Sequence, residues 1–537
     1  MITVADTLAQ ILMQHGIDTV FGLPGGANLP LLAALRRHDI RFVLVRNESS
    51  AVYMADVTAR LTGKPGVCIA TLGPGAANMM AGVAHAYLDR SPILIVTADF
   101  PSSLQGRHTH QTLDLQALFH PVTKHTARLL PTQATQQIQQ ALDLAITGRP
   151  GPVHLSLTGA DADTLATSQA ILPSAPPTPQ VKQDVLNTAQ ALFAQARRPV
   201  IVTGLGLEPE RPYVELRKFA QARHAPLIDT PKSKGALAHD HPLFAGTIGL
   251  TLTDPAYAIL DEADCIVSVG FDVVELVRIW DYTVPIIWIA PWANADPAIV
   301  TTVELVGPMR SVLRQLTFSP NWLDPAWGEA RVARFRAQLA GQSLPPPAAG
   351  RLLPQQLLHT LRQIVPKDTL ITTDVGSHKI LTALEWPAYT PNRFMVSNGL
   401  SAMGFGLPAA MAAAFCLRQP VICITGDAGI GMVLGELSLL KELDLPVIII
   451  VMNDASLDLI RAKQMRRGDT IYGTEFANPD FGQLAGAFDL HFRQANSEPA
   501  FHDALHFAFD AHKPTLIEAL IDPTAYPTSA ATRPPTS

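Results

Sequence analysis

The stretch VICITGDAGIGMVLGELSLLKELDLPVIIIVMNDAS, running from Val421 to Ser456, decides how this chain folds. An apolar, β-branched run, Val421 to Ile424, leads into Gly426-Asp427-Ala428-Gly429. An amphipathic helical pattern carrying Leu434, Leu437 and Leu440 follows, and a second apolar run, Val447 to Met452, ends at Asn453-Asp454. That order predicts a strand, a crossover helix and a second, parallel strand. Parallel strands joined in this way bring their C-terminal ends to one edge of the sheet, where open α/β sheets hold their ligands.

Asp427 and Asp454 are therefore expected to meet at that edge. Gly426, Ala428 and Gly429 are small enough to let the backbone approach an anion, and a helix opening there aims its N–H groups at it. Carboxylate and amide-type oxygens beside a diphosphate describe a magnesium site, because Mg2+ takes oxygen ligands and is usually shared with substrate phosphates. The same residues also suit an ordinary crossover with Gly and Asp in its loops.

Outward from this unit, the 537 residues suffice for three domains of ordinary size. Apolar residues make up 47% and charged residues 16%, the composition of a well-buried globular protein. A net charge of −6 gives no reason to expect nucleic acid or an anionic membrane as a partner. Cysteines stand at Cys68, Cys265, Cys416 and Cys423, without metal-ligand spacing or a disulfide framework, which fits buried thiols in a reducing compartment. Met1 to Asp6 shows no basic region leading into an apolar core, and the apolar runs are too short to span a bilayer. A cytoplasmic protein without a membrane partner is expected.

Three α/β domains are expected: residues 1–170, 181–330 and 350–525. In the first, Thr3 to His15 reads as an amphipathic helix, Thr19 to Phe21 as a strand entering Gly22-Leu23-Pro24-Gly25-Gly26, and Phe42 to Val45 as a strand ending at Arg46-Asn47-Glu48. Ser49 to Leu61 is a helix, Gly66 to Thr71 a strand running into Gly73-Pro74-Gly75-Ala76-Ala77-Asn78, and Ile93 to Ala98 another strand. The Pro-rich stretches Leu172 to Gln180 and Ser343 to Gln355 mark linkers. The middle region has strands at Pro199 to Thr203, Cys265 to Val269 and Ile286 to Ile289. Its Gly204-Leu205-Gly206 is too short for a dinucleotide fingerprint and reads as a tight turn. The third domain opens with a strand, Thr369 to Thr373, before Asp374-Val375-Gly376-Ser377-His378, and continues through Asn398-Gly399-Leu400-Ser401-Ala402-Met403-Gly404 into an Ala-rich segment.

These motifs, in this order, resemble the thiamine diphosphate enzymes of the acetolactate synthase and 2-oxo acid decarboxylase-carboligase family, over nearly the whole chain. The Gly426 to Ser456 unit resembles the family's cofactor signature, a Gly-Asp-Gly followed by an Asn-Asn pair. The run from Asn47 to Phe100 resembles its pyrimidine-binding domain. The resemblance implies three doubly wound parallel-sheet domains: pyrimidine-binding, central and diphosphate-binding. It implies Mg2+ ligands at Asp427, Asp454 and the carbonyl of Ser456, with Asn453 as the alternative if the loop is shifted by one. Here Ala428 replaces the usual glycine and Asp454 the usual asparagine.

Glu48 falls where the family's glutamate contacts the aminopyrimidine, and Met403 where a bulky residue wedges between the two cofactor rings. The expected cofactor contacts are Gly26, Gly75, Gly376, Ser377, His378, Ser401, Met403, Gly426, Asp427, Ala428 and Gly429. Ser377 stands in place of a family glutamine. His110-Gln111 is half of the Phe-Gln pair of acetolactate synthases and half of the His-His pair of pyruvate decarboxylases, so a catalytic role is open to either residue. Relatives that only decarboxylate pyruvate carry an aspartate where this chain has Gly26, which leans toward carboligation.

The resemblance implies decarboxylation of a pyruvate-like 2-oxo acid, with transfer of the fragment to a second carbonyl. The alternatives are a non-ligating decarboxylase, a benzaldehyde-lyase-like carboligase and, in another class, a catalytically weakened cofactor-binding protein. In relatives the glutamate and the diphosphate site come from different subunits, which implies a homodimer or homotetramer with its active site at a subunit interface. Acetolactate synthases hold FAD in the central domain. The corresponding runs here, Val269 to Glu275 and Trp288 to Trp292, lack the arginine and the acid expected for it, which speaks against FAD.

Overall fold

A computed structural model describes residues 2–104, 110–167, 179–208, 210–317, 324–341 and 344–526. Residues 106–109 of the His110 loop, most of the first Pro-rich stretch, and Ser343 of the second lie outside them. Three six-stranded sheets organise the chain, and every strand pair in them is parallel.

The first sheet contains β1 (Thr19–Leu23), β2 (Arg41–Leu44), β3 (Gly66–Ala70), β4 (Ile93–Ala98), β5 (His125–Arg128) and β6 (Val153–Leu157), in the order β2-β1-β3-β4-β6-β5. The second contains β7 (Pro199–Thr203), β8 (Leu227–Asp229), β9 (Phe244–Thr247), β10 (Cys265–Val269), β11 (Ile286–Ala290) and β12 (Val303–Val306), in the order β12-β11-β10-β7-β8-β9. The third contains β13 (Ile371–Thr373), β14 (Phe394–Val396), β15 (Val421–Gly426), β16 (Val447–Asn453), β17 (His491–Ala495) and β18 (Thr515–Leu520), in the order β14-β13-β15-β16-β18-β17. The first and third sheets thus share one strand order. The second reverses direction between β7 and β10.

The chain forms two compact units. One consists of Met1–Pro176, Leu400–Gln419 and Gly431–Pro446, and the other of Pro177–Gly399, Pro420–Ile430 and Val447–Ser537. The first unit is built on the first sheet, whose core joins Val20, Val67, Ile69, Leu94, Val96 and Leu155 to the helix Val4–Gln14. The second unit holds the other two sheets. Alternation along β7 sends Ile201 to one apolar cluster, with Val267 and Ile287, and Val200 and Val202 to another, with Ile266 and Trp288. A parallel sheet covered on both faces requires this two-sided burial, which is why its strands read as continuous apolar runs.

The crossover after β15 departs from the single helix expected from the Leu434, Leu437 and Leu440 pattern. It breaks into a helix Asp427–Gly431, a 3-10 turn Leu434–Glu436 and a helix Leu437–Glu442. Gly429, Gly431 and Gly435 lower helix propensity along it by roughly 1 kcal/mol each, and Val433 breaks the run with φ −129°. Register pairs Gly426 of β15 with Met452 of β16, so both strands deliver their loops to one edge. Among the described residues no helix is long and apolar enough to cross a membrane.

Candidate active site

Strand β15 ends at Gly426, and Asp427 opens the following helical turn. The Asp427 carboxylate is buried and accepts from three donors. The Ala428 N–H reaches Oδ1 at 2.9 Å, and the Ala455 N–H and Asn478 Nδ2 reach Oδ2 at 2.7 and 2.8 Å. Asn478 Nδ2 also donates to Asn453 Oδ1 at 2.9 Å, so one amide ties the ends of β15 and β16 together. Asn453 Nδ2 turns the other way and donates to Glu518 at 2.6 Å. Asp454 Oδ1 accepts from the N–H and the hydroxyl of Ser456, both at 3.0 Å.

Burial, then the charges of Asp427 and Asp458, push the Asp454 carboxyl up to about 7. Burial raises Asp427 as well. Asp458 accepts from Ser377 Oγ at 2.8 Å and pairs with Arg461 at 2.9 Å. Like charges this close favour either a proton or a cation between them. Among the described residues no cluster of three or more His, Cys, Asp or Glu side chains is set to ligate a metal by itself. A cation at this edge would draw its remaining oxygens from backbone carbonyls and from a ligand's phosphate, the habit of Mg2+.

His378 lies between two glycine loops at the same edge. A Cβ on Gly376 would stand 2.7 Å from its Cε1, and one on Gly426 2.9 Å from the same atom. Gly376 has φ 154°, a conformation side chains avoid. His378 Nε2 is buried with no partner, and burial lowers the ring to about 4. The two glycines let the His378 ring pack against their backbone, and an orphaned buried nitrogen at this edge fits a phosphate group. A Cβ on Gly429 would lie 2.6 Å from Asp374 Oδ2, so this glycine also serves close packing.

Glu48 belongs to the other unit. Asn47 caps the helix Glu48–Thr62 by accepting from the Ser49 N–H at 2.9 Å, which makes Glu48 its first residue. Glu48 is 5% exposed, and Asn78 Nδ2 donates to its Oε2 at 3.1 Å. Its Oε1 would be 3.3 Å from a Cβ on Gly75. Gly73, at φ 59°, packs on Gln111: a Cβ there would stand 2.9 Å from the Gln111 Cβ. The short helix Pro74–Asn78, which replaces a plain loop here, thus touches Glu48 on one side, while its N-cap Gly73 packs on Gln111. Gln111 sits at φ 61°, and both it and His110 are exposed. Beside Gly26 there is open space, with nothing within 4 Å of an added Cβ. Met403 is half-buried in the turn before the helix Gly406–Leu417. That helix packs on Glu48–Thr62, with Phe405 set edge-on to Tyr53 at 5.6 Å. Ser401 lies exposed in the same turn, at φ 57°.

Sequence reasoning gave no role to Asn78, Asn478 or Asp458. Asn78 ends the Gly73 to Asn78 motif, where a lone asparagine carries no signal of its own. Asn478 and Asp458 reach the edge from segments with no motif.

In the second sheet the strand order reverses between β7 and β10, the place where open α/β sheets bind dinucleotides. The chain itself fills that crevice. The Gly206 N–H donates to the Gly270 carbonyl at 2.7 Å. Glu275, 1% exposed, accepts from the Leu205 N–H and Thr230 Oγ1, both at 2.8 Å, and from the Lys232 N–H at 3.2 Å. A Cβ on Gly204 would stand 2.8 Å from Glu275 Oε2. The backbone donors that would meet a phosphate already hold a carboxylate.

Comparison with known proteins covers all three sheets. Residues 2–118 match the family described as "Thiamine pyrophosphate enzyme, N-terminal TPP binding domain", residues 186–316 its central domain and residues 374–519 its C-terminal TPP binding domain. A probable acetolactate synthase large subunit of Methanocaldococcus jannaschii is 31% identical over 97% of this chain and 92% of its own length. The acetolactate synthase isozyme 2 large subunit of Escherichia coli is 31% identical over 96% of this chain and 95% of its own length. An acetolactate synthase of Bacillus subtilis is 27% identical over 96% of this chain and 93% of its own.

Proposed function

The chain belongs to the thiamine pyrophosphate enzyme family and is a thiamine diphosphate-dependent enzyme, and from that premise we propose that it carries out a carboligation of the acetolactate synthase type. In this reading it decarboxylates a pyruvate-like 2-oxo acid and transfers the fragment to a second carbonyl. What carries the reading is the likeness to acetolactate synthase large subunits over 97% of the chain.

When bound, thiamine diphosphate supplies the nucleophilic carbon and accepts the electrons released as CO2 leaves. The protein's part is to bind, orient and move a proton. Glu48, held by Asn78, would present its carboxyl to the pyrimidine ring and exchange a proton there. Met403 would set the angle between the two rings, a positioning effect. Gly376 and Gly426, which seat the His378 ring, would lie beside the diphosphate, with His378 Nε2 facing it. Asp427, Asp454 and the Ser456 carbonyl would hold Mg2+. Asp454 is favoured over Asn453 because the Asn453 amide is already shared between Asn478, Ala455 and Glu518.

The central domain is proposed to carry no FAD, on the support of Glu275 in its crevice. A homo-oligomer with the active site at a subunit interface, and a cytoplasmic location, complete the reading. Buried thiols at Cys68, Cys265 and Cys423 suit the latter.

Product analysis tests the reaction. Pyruvate, alone and with an added aldehyde, should give a ligated product in which a new carbon–carbon bond joins two carbonyl-derived fragments. Free acetaldehyde as the sole product would assign a non-ligating decarboxylase instead. Activity confined to aromatic aldehydes would assign the benzaldehyde-lyase type.

A further inference from the structure

A second carboxylate stands behind Glu48. The turn Arg46-Asn47-Glu48 leads from β2 into the helix Glu48–Thr62, and a helix start leaves its first N–H groups without intrahelical partners. Two N–H groups just ahead of this helix converge on Glu436. Glu436 Oε1 accepts from Arg46 N–H at 3.1 Å and from Asn47 N–H at 2.9 Å, and Oε2 shares the Arg46 N–H at 3.1 Å. Both segments belong to the same compact unit.

Glu436 is 1% exposed. A carboxylate this buried is retained at a cost unless donors surround it, and the donors here are backbone groups of the turn that carries Glu48. The approach is close: a Cβ on Gly435 would stand 3.3 Å from the Arg46 Cβ. Outside the turn, the Arg46 guanidinium pairs with Glu442. The Glu436 carboxylate also lies at the N-terminal, electropositive end of the 15-residue helix.

We propose that Glu436 is a positioning residue for catalysis: it fixes the backbone from which Glu48 projects, so that the Glu48 carboxyl stays aimed at Asn78 and at the cofactor's pyrimidine. The proposal deepens the functional reading and rests on its assignment of Glu48. Glu436 touches no reacting atom. Its 3-10 turn, Leu434–Glu436, exists because the crossover helix is broken, which gives the break a purpose.

The test joins two readouts. Amide hydrogen exchange, read on the cofactor-free protein over residues 42–52, should be at least about tenfold faster in E436A than in the wild type, because the turn loses its acceptor. Turnover of pyruvate should fall in the same variant by roughly tenfold to a hundredfold in kcat, with KM and thiamine diphosphate affinity nearly unchanged. E436Q keeps the volume and one acceptor oxygen, so it should shift both readouts in the same direction by less, and it serves if E436A does not fold. E442A removes only the surface ion pair and should leave both at wild-type values. A loosened turn with full kcat, or a lowered kcat with a fully protected turn, would overturn the proposal. E48Q separates the underlying reading: it should cut turnover by about 10²- to 10⁴-fold with exchange over 42–52 unaltered, and an E48Q with wild-type turnover would sink the role of Glu48 whatever Glu436 does.

Discussion

Gly206 donates its backbone N–H to the carbonyl of Gly270 across 2.7 Å, and through that bond the two loops flanking the strand-order reversal of the second sheet close on each other. Glu275 then takes the donors left over. The purified protein should therefore show no flavin absorbance and should not quench added FAD. E275A should lose roughly 2 kcal/mol or more of stability in denaturant titration, since several buried donors are left unpaired. Stoichiometric flavin on the isolated wild type would contradict the first expectation, and an unaltered midpoint the second.

At the pyrimidine side, E48Q should reduce turnover of pyruvate by about 10²- to 10⁴-fold, the range expected for loss of a positioned proton-transfer group. N78A removes only the amide that holds Glu48 Oε2, so its effect should be smaller, about tenfold. Steady-state kinetics with cofactor affinity measured alongside will separate the two. Equal losses would mean that Asn78 does more than orient Glu48.

At the diphosphate edge, D454A should abolish the Mg2+ dependence of cofactor binding, while D454N, which keeps a hard oxygen in place, should bind at higher metal concentration. N453A should act through stability, because it releases Glu518 and Asn478 from their shared bonds. Metal titrations of the three variants decide the ligand. N453A losing metal while D454A keeps it would reverse the assignment.

The central strands of the sheets were legible because they are buried on both faces and read as continuous apolar runs, as in Val447 to Met452, while edge strands such as His125–Arg128 and His491–Ala495 are partly exposed and carry no such run. The placing of Asp427 and Asp454 at the sheet edge was legible because each follows such a run, whereas Glu48 follows the half-exposed strand Arg41–Leu44. The broken crossover was harder to see: the leucine spacing at Leu434, Leu437 and Leu440 satisfies a helix, and the glycines that interrupt it act through backbone entropy, which periodicity ignores. Glu436 hid for the same reason, as one polar residue on an expected helix. In the central domain, the role of Glu275 as acceptor for the Leu205, Thr230 and Lys232 donors is recognisable only once β7 and β10 are side by side.

Acid should weaken the fold through His154. Its two ring nitrogens meet Thr97 Oγ1 at 2.8 Å and Thr126 Oγ1 at 2.7 Å, Phe119 stacks on it at 3.8 Å, and burial lowers it to about 3. The folded state holds the ring neutral while the unfolded state binds a proton below its ordinary value of 6.5. Stability is therefore full above that value and declines as pH falls from 6.5 toward 3, by up to about 1.4 kcal/mol per pH unit from this group. Denaturant unfolding across that window should show a smaller pH slope in H154Q than in the wild type. An identical slope would mean that the ring is protonated inside the fold.

The most direct measurement is calorimetric titration of the cofactor-free protein and of D427A with thiamine diphosphate, each with and without Mg2+. One tight, Mg2+-dependent site per chain in the wild type, lost in D427A, is the result this structure predicts. Absence of binding, or binding indifferent to both Mg2+ and Asp427, would contradict the assignment of the Gly426 to Ser456 edge as the cofactor anchor.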